Sequence, residues 1–241
     1  MLWDAIDLKL LLPLVCAGVS FVLYWRVVKN EQLKRHFFSR LPFDKASVLH
    51  LVFSKLFGFI VLGLIPLMIC TFLLPEFSFG ICSSSSQLVN SFVWAGLLAL
   101  VIVPLTFHFS QKPENLQYYP QLRIRKWTYS TVLIYLASWA VYLLGYELLF
   151  RGILLFPLVE ALGIWPAIAV NTLLYSAVHL LNSPKESIGS IPFGIVLCLI
   201  TIETEGIWAA YLSHVCLSWT NALTAIYHHP DIEFIGNKSR D

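Results

Sequence analysis

Long runs of apolar residues, separated by short polar segments, follow one another along the whole chain. A helix needs about 20 mainly apolar residues to cross a bilayer, because the hydrocarbon layer is roughly 30 Å thick. Seven runs qualify, although the fourth is long for one crossing and the sixth is short. They are approximately Leu8–Val28, Leu51–Leu74, Leu88–Phe109, Thr128–Leu162, Trp165–Leu181, Ile188–Ile202 and Ile207–Tyr227. The pattern therefore predicts an all-α polytopic membrane protein with about seven transmembrane helices.

Composition strengthens this interpretation and excludes several classes of protein. Of 241 residues, 58% are apolar and only 12% are charged, against roughly 25% charged residues in a soluble domain. The net charge of +2 is too small for a nucleic-acid-binding surface. We expect an integral membrane protein whose first partner is the lipid bilayer, with a bacterial inner membrane favoured over the endoplasmic reticulum.

Basic residues are distributed unevenly between the predicted spans, and their distribution predicts orientation. The loop from Pro75 to Gln87 contains no Lys or Arg. The loops on either side of spans two and three are rich in both: Arg26, Lys29, Lys34, Arg35, Arg40 and Lys45 in the first, and Lys112, Arg123, Arg125 and Lys126 in the second. These basic loops are expected in the cytoplasm, with the N-terminus outside and the C-terminus inside.

Four ionisable residues inside the predicted spans stand out, namely Glu147, Arg151, His179 and His214. Each is costly in a bilayer, on the order of 2.5–3.5 kcal/mol for a charged side chain at the helix centre. Glu147 and Arg151 are four residues apart, so one helical face carries both and they can pair. Glu147 precedes the turn residue Gly163 by sixteen positions and His179 follows it by sixteen, which predicts that they reach the same depth in a helical hairpin and meet.

Two polar stripes accompany these residues on neighbouring spans. Asn171, Tyr175 and His179 form one stripe, and His214, Ser218 and Asn221 form the other. We expect the stripes and the ion pair to enclose a small polar chamber. A carboxylate with two imidazoles suits either general-base activation of water or binding of a divalent metal such as zinc, and the sequence leaves both alternatives open.

Three motifs in the last third of the chain resemble those of the CPBP family, which comprises CAAX proteases and bacteriocin-processing enzymes. The first family motif, Glu-Glu-x-x-x-Arg, corresponds to Tyr146-Glu147-Leu148-Leu149-Phe150-Arg151. The second, Phe-x-x-x-His, corresponds to Tyr175-Ser176-Ala177-Val178-His179. The third, His-x-x-x-Asn or Asp, corresponds to His214-Val215-Cys216-Leu217-Ser218. The resemblance implies a CPBP-like membrane core over residues 127–230, preceded by three helices in 1–126 and followed by a polar tail in 231–241.

The resemblance implies an intramembrane endopeptidase that cleaves a membrane-tethered or lipidated peptide in the cytoplasmic half of the bilayer. Glu147, His179 and His214 would be catalytic, and Arg151 would anchor Glu147. Two positions depart from the family pattern, because Tyr146 replaces the first Glu and Ser218 replaces the amide or carboxylate, with Asn221 one turn further on. These departures motivate the alternative of a catalytically inactive homologue that acts as a scaffold or regulatory subunit of a membrane complex.

Small residues mark places where helices can approach closely. Gly58 and Gly63 lie in the second span, and Gly96 lies in the third, together with Ala95 and Ala99. They predict close helix contacts, either inside the bundle or with a partner membrane protein.

Overall fold

The computed structural model describes residues 5–81, 84–180 and 184–235, and helices make up most of them. The predicted end of the fifth span at Leu181 and the tail beyond residue 235 lie outside the described residues. In chain order the helices are α1 (Ala5–Val28), α2 (Glu31–Phe38), α3 (Phe43–Gly58), α4 (Ile65–Leu73), α5 (Ser85–Ser110), α6 (Pro113–Leu116), α7 (Tyr129–Glu147), α8 (Leu155–Leu162), α9 (Ile164–His179), α10 (Pro184–Thr204) and α11 (Trp208–His228). Two short strands, β1 (Lys126–Trp127) and β2 (Glu233–Phe234), pair in parallel.

All seven predicted spans coincide with helical segments, and within the described residues five helical segments are both long and apolar enough to cross a membrane. These five are Asp7–Val28, Phe43–Leu73, Ser85–Ser110, Tyr129–Leu162 and Glu186–Thr204. Helix α9 has only 16 residues, and the Ser, Thr, Asn and His side chains of α11 lower its mean hydropathy. The total of seven crossings and the orientation of the termini stay predictions.

Two helical stretches contain a segment with the wider π-helical turn. The segment π1 (Phe59–Leu64) joins α3 to α4, and π2 (Leu148–Leu154) joins α7 to α8. The unusual length of the fourth predicted span is thereby explained, since α7, π2 and α8 form one uninterrupted stretch of 34 residues. π-Helical turns occur frequently at functional sites, and π2 begins directly after Glu147.

The π1 segment crosses the end of α7, just before π2, at very short range. A Cβ atom added to Gly63 would come within 2.7 Å of the Cα atom of Gly145, and one added to Gly145 would come within 2.8 Å of the Cα atom of Phe59. Gly58 similarly lies against the Tyr142 ring. The predicted close contacts at Gly58 and Gly63 are therefore confirmed, whereas a Cβ atom added to Gly96 would meet no atom of another segment within 4 Å.

Apolar side chains divide between the interior and the periphery of the bundle. The central cluster joins residues of α1 and π1 to residues of π2, α8 and α9, so helices of the predicted N-terminal part pack directly against the predicted core. Helix α5 packs along α11, and α10 packs along α9. Large apolar side chains such as Val22, Phe72 and Leu100 are exposed, as expected for surfaces that face lipid rather than water.

We predict that Gly145→Ala and Gly63→Ala destabilise the protein, because the added methyl group meets backbone that cannot move aside. The expected loss is about 1–3 kcal/mol for each variant, measured as the free energy of unfolding in detergent micelles. Gly96→Ala is the matched control and should be neutral or slightly stabilising. Equal behaviour of the three variants would contradict the crossing at Gly63 and Gly145.

Candidate active site

The Glu147 carboxylate lies between a guanidinium group and an imidazole in the interior of the bundle. Its side chain is 0% exposed, and its Oε2 atom is 3.2 Å from Nε of Arg151. Its Oε1 atom accepts a short hydrogen bond from Nδ1 of His214 on α11. A charged group at this depth is stable only with such compensation. The predicted pairing of Glu147 with Arg151 is present, and the His214 hydrogen bond joins α11 to this pair.

The Arg151 guanidinium extends this arrangement to two further helices. Its Nη1 atom donates to Oδ1 of Asn171 on α9 and lies 3.4 Å from Sγ of Cys198 on α10. Asn171 in turn donates from Nδ2 to the backbone carbonyl of Phe150 at 2.6 Å. Because Phe150 lies within π2, the amide of Asn171 connects α9 to the π-helical turn. Arg151 and Asn171 thus fix the relative positions of four elements.

The two histidines are held through the same ring nitrogen but by different groups. Nδ1 of His179 lies 2.7 Å from the backbone carbonyl of Tyr175, and a carbonyl oxygen only accepts, so Nδ1 carries the proton. Nδ1 of His214 donates to the Glu147 carboxylate by the same reasoning. In the neutral form of either ring the Nε2 atom keeps its lone pair. Both imidazoles can therefore accept a proton at Nε2.

The Tyr146 side chain lies between the two imidazoles. Its ring centroid is 5.8 Å from that of His214 and 6.2 Å from that of His179. The residue is only 4% exposed, and its hydroxyl group has no hydrogen-bond partner among the described residues. A buried hydroxyl without a partner is costly, so this phenol is available to bind a group that enters the site.

The expectation that Glu147 and His179 meet needs correction. The register around Gly163 is right, since the Arg151 guanidinium lies 4.7 Å from the centre of the Tyr175 ring, as the residue counting requires. It is Tyr146, however, whose ring lies against His179, while Glu147 bonds to His214. Residue counting sets the depth of a side chain but not its direction around the helix, which here depends on packing at the start of π2.

A large cavity of about 1660 Å³ ends at these aromatic and imidazole rings. Tyr146, Tyr175, His179, His214, Ser218 and Asn221 all line it. Glu147 and Arg151 do not belong to its lining, which corrects the expectation that the carboxylate faces the polar chamber. Asn221 accepts a hydrogen bond of 2.9 Å from Asn115, so its amide is engaged at the cavity wall.

The other end of the cavity lies among the basic loops between α1 and α3 and between α5 and α7. Lys29, Lys34, Lys112 and Arg123 border it there, together with Glu31 and Glu114. Tyr119 donates a hydrogen bond of 3.2 Å to Glu186 at the same wall. Burial, and then the negative charge of Glu186, raise the pKa of the Tyr119 phenol well above its ordinary value. Tyr119 thus remains a neutral donor at physiological pH.

Lys55, a cavity residue that lies inside the second predicted span, was not identified from the sequence. The cost of a charge in the bilayer, which drew attention to Glu147 and Arg151, applies equally to this lysine. No motif partner marked it, because its neighbours Trp139 and Tyr142 are distant in sequence and are aromatic rather than charged.

The arrangement of the candidate ligand side chains decides whether the site fits the alternative of a bound divalent metal. Among residues 5–81, 84–180 and 184–235, no three His, Cys, Asp or Glu side chains lie close enough together to hold a metal ion. Glu147 and His214 already use their facing atoms on each other. Within the described residues, the donor set therefore does not fit a resident metal.

Comparison with known proteins agrees with the motifs. Residues 126–220 match the family model described as Rce1-like, type II CAAX prenyl endopeptidase Rce1-like. The match runs from β1 into α11 and leaves out α1–α6. It confirms the resemblance to the CAAX proteases over these residues, and the five long apolar helices support an integral membrane protein. No curated protein and no solved structure gives a significant match to the chain.

We predict that Arg151→Met strongly destabilises the protein, because it leaves the Glu147 carboxylate buried without its cation. The expected loss is about 3–5 kcal/mol in the free energy of unfolding. Arg125→Met is a matched control, since Arg125 also pairs with a glutamate, at 2.9 Å, but at an exposed position; its loss should stay below about 1 kcal/mol. Similar losses for the two variants would contradict the buried pair as a determinant of stability.

Proposed function

We propose that the protein is a membrane-embedded endopeptidase that cleaves a membrane-tethered, lipidated peptide entering from the basic, cytoplasmic side. The observation that carries the proposal is the convergence of Tyr146, His179 and His214 at the inner end of one cavity. The volume of about 1660 Å³ exceeds that of a small-molecule pocket, roughly 300–1,000 Å³. It is adequate for a short peptide together with an apolar lipid chain.

In this proposal His214 is the general base and Glu147 its positioning residue. Glu147 accepts the Nδ1 proton of His214 and stabilises the imidazolium that forms when Nε2 takes a proton, as a buried carboxylate does for the histidine of a catalytic triad. Arg151 holds the carboxylate in place and keeps it ionised. The carboxylate itself lies outside the cavity lining, which favours this orienting role over direct activation of water.

The reaction then proceeds by addition of water and expulsion of the amine. Nε2 of His214 removes one proton from the water as the water oxygen bonds to the scissile carbonyl carbon. Nε2 of His179 accepts a hydrogen bond from the hydrogen that stays on that oxygen. The carbonyl oxygen becomes an oxyanion, to which the Tyr146 hydroxyl donates. When the C–N bond breaks, the leaving nitrogen takes the proton from Nε2 of His214, which returns the site to its initial state.

We predict that His214→Ala lowers kcat/KM by about 10²–10⁴-fold, because it removes the base, and that Tyr146→Phe lowers kcat by about 10²-fold, because it removes the oxyanion donor. The assay follows hydrolysis of a fluorogenic peptide that carries a prenylated Cys followed by three residues, with the purified protein in nanodiscs.

His228→Ala is the control for these variants. His228 bonds through Nδ1 to the carbonyl four residues earlier, at 2.9 Å, as His179 does, but it lies outside the cavity lining. Its replacement should leave the rate unchanged. Undiminished cleavage by His214→Ala and Tyr146→Phe would refute the assigned roles.

A second candidate function is supported by Tyr146 and by the exclusion of Glu147 from the cavity lining. The family places a carboxylate where Tyr146 stands, and a phenol with an ordinary pKa of about 10 is a poor base. A protein that had lost the base would retain the fold and cavity, and would act as a scaffold or regulatory subunit that holds a lipidated or membrane-embedded partner.

The variant Tyr146→Glu separates the two functions. If His214 is the base, the natural protein cleaves the prenylated peptide and Tyr146→Glu cleaves it about 10²-fold more slowly, since the oxyanion donor is lost. If the protein is an inactive homologue, the natural protein leaves the peptide intact and Tyr146→Glu gains hydrolysis. The same nanodisc assay measures both outcomes.

A further inference from the structure

Two cysteines on different helices lie side by side in the interior of the bundle, outside the lining of the cavity. The Sγ atom of Cys16 on α1 is 4.0 Å from the Sγ atom of Cys70 on α4. The two residues are 8% and 0% exposed, and both side chains are free thiols. A disulfide bond is about 2.05 Å long, so the sulfur atoms need to approach each other by about 2 Å. Rotation of the two side chains can supply this movement.

The depth of the thiol pair in the bundle can be read from an ion pair near one end of α1. The Nζ atom of Lys9 is 3.7 Å from Oε1 of Glu76, which follows α4. Cys16 lies seven residues after Lys9, and Cys70 lies six residues before Glu76. At about 1.5 Å per helical residue the thiols lie about 10 Å from these charges, toward the middle of the helices. Val15 beside Cys16 is 58% exposed, so the pair lies just beneath the lipid-facing surface.

The other fully buried cysteine in the described part of the chain has a different environment. Cys198 on α10 is also 0% exposed, but its Sγ atom is 3.3 Å from Oδ1 of Asn171 and 3.4 Å from Nη1 of Arg151. A free cysteine behaves as a small apolar residue, and packing alone therefore explains the burial of each thiol. It does not require two sulfur atoms of distant segments to be in contact, as those of Cys16 and Cys70 are.

Helix α1 also contributes to the wall of the candidate active site. Phe21, five residues after Cys16, lines the cavity. Its ring centroid is 6.0 Å from that of Tyr146 and 5.7 Å from that of Phe150 in π2. A covalent bond that holds α1 at Cys16 would therefore also restrict the position of the Phe21 ring against the site.

We propose that Cys16 and Cys70 form a disulfide bond that joins α1 to α4, with a lipid-soluble quinone as the oxidant. Both S–H bonds break and the S–S bond forms, while two electrons and two protons pass to the quinone, which becomes a quinol. A quinone suits this pair because the thiols lie beneath the lipid-facing surface, where a polar oxidant does not enter. The inference does not depend on the proposed peptidase activity, since neither sulfur atom lines the cavity.

The test uses the full chain in nanodiscs, first reduced and then transferred to oxygen-free buffer without reductant, with decylubiquinone as the probe. The natural protein should lose two of its five thiols and form one quinol per protein. Mass spectrometry without reductant should find one cross-linked peptide that contains Cys16 and Cys70. The bond would close a loop between residues 54 positions apart. It should raise the midpoint of thermal unfolding by roughly 4–16 °C relative to the reduced protein.

Four variants assign the reaction to this pair. Cys16→Ala and Cys70→Ala should each form no quinol and show no change in midpoint with the quinone, and either variant suffices if the other does not fold. Cys216→Ala is the control, because Cys216 is a partly buried free thiol on α11; it should still form the cross-link. Cys82 lies outside the described residues, and Cys82→Ala should likewise leave the cross-link unchanged.

Three results would overturn the proposal. The first is retention of all five thiols with no quinol formed. The second is a cross-link that contains Cys82, or quinol formation that persists in Cys16→Ala and Cys70→Ala. The third is a cross-link between Cys16 and Cys70 that leaves the unfolding midpoint unchanged, because the bond would then not hold α1 to α4.

Discussion

The buried carboxylate of Glu147 imposes the strongest constraint on this structure. Inside a helical bundle in lipid, an ionised group must have its counter-charge and its hydrogen bonds supplied by the protein. Arg151 supplies the charge, His214 supplies a donor, and Asn171 and Cys198 both contact Nη1 of the guanidinium in turn. The requirement for compensation thus brings π2, α9, α10 and α11 together at one point, and the orientation of the His214 ring follows from it.

The wider turn of π2 begins directly after Glu147, and the contact between Gly63 and Gly145 lies two residues before it. Both features constrain the position of Glu147. Close approach of the two helices leaves no space for side chains at their crossing, so the neighbouring Tyr146 and Glu147 have defined directions. Tyr146 lies at the cavity wall and Glu147 lies outside its lining. Tyr146 occupies the position of the carboxylate in the family motif that the chain resembles. Under the proposed function, the His214 imidazole, which Glu147 orients, takes over the proton transfer of that carboxylate.

Much of the fold follows from the apolar periodicity of the chain. The seven predicted segments are all helical, because a backbone in lipid must satisfy its own hydrogen bonds. Part of the site was predictable because ionisable side chains are costly, and therefore rare, inside a membrane. Glu147, Arg151, His179 and His214 were all identified for this reason. Lys55 obeys the same rule and was missed, since its partners are ring faces without charge. The π segments left no recognisable signal in the residue pattern.

By itself the sequence determined the membrane class, the helical segments, the family motifs and the depth of the polar residues along each helix, because these depend on local composition and on residue spacing. Only the tertiary structure decided which of the side chains at a given depth are in contact with one another. Glu147 bonds to His214 rather than to His179, Tyr146 lies between the imidazoles, and Lys55 joins the same cavity. The physical reason is that the rotation and crossing of helices depend on packing between distant segments, at contacts such as that of Gly63 with Gly145. No local residue pattern encodes this packing.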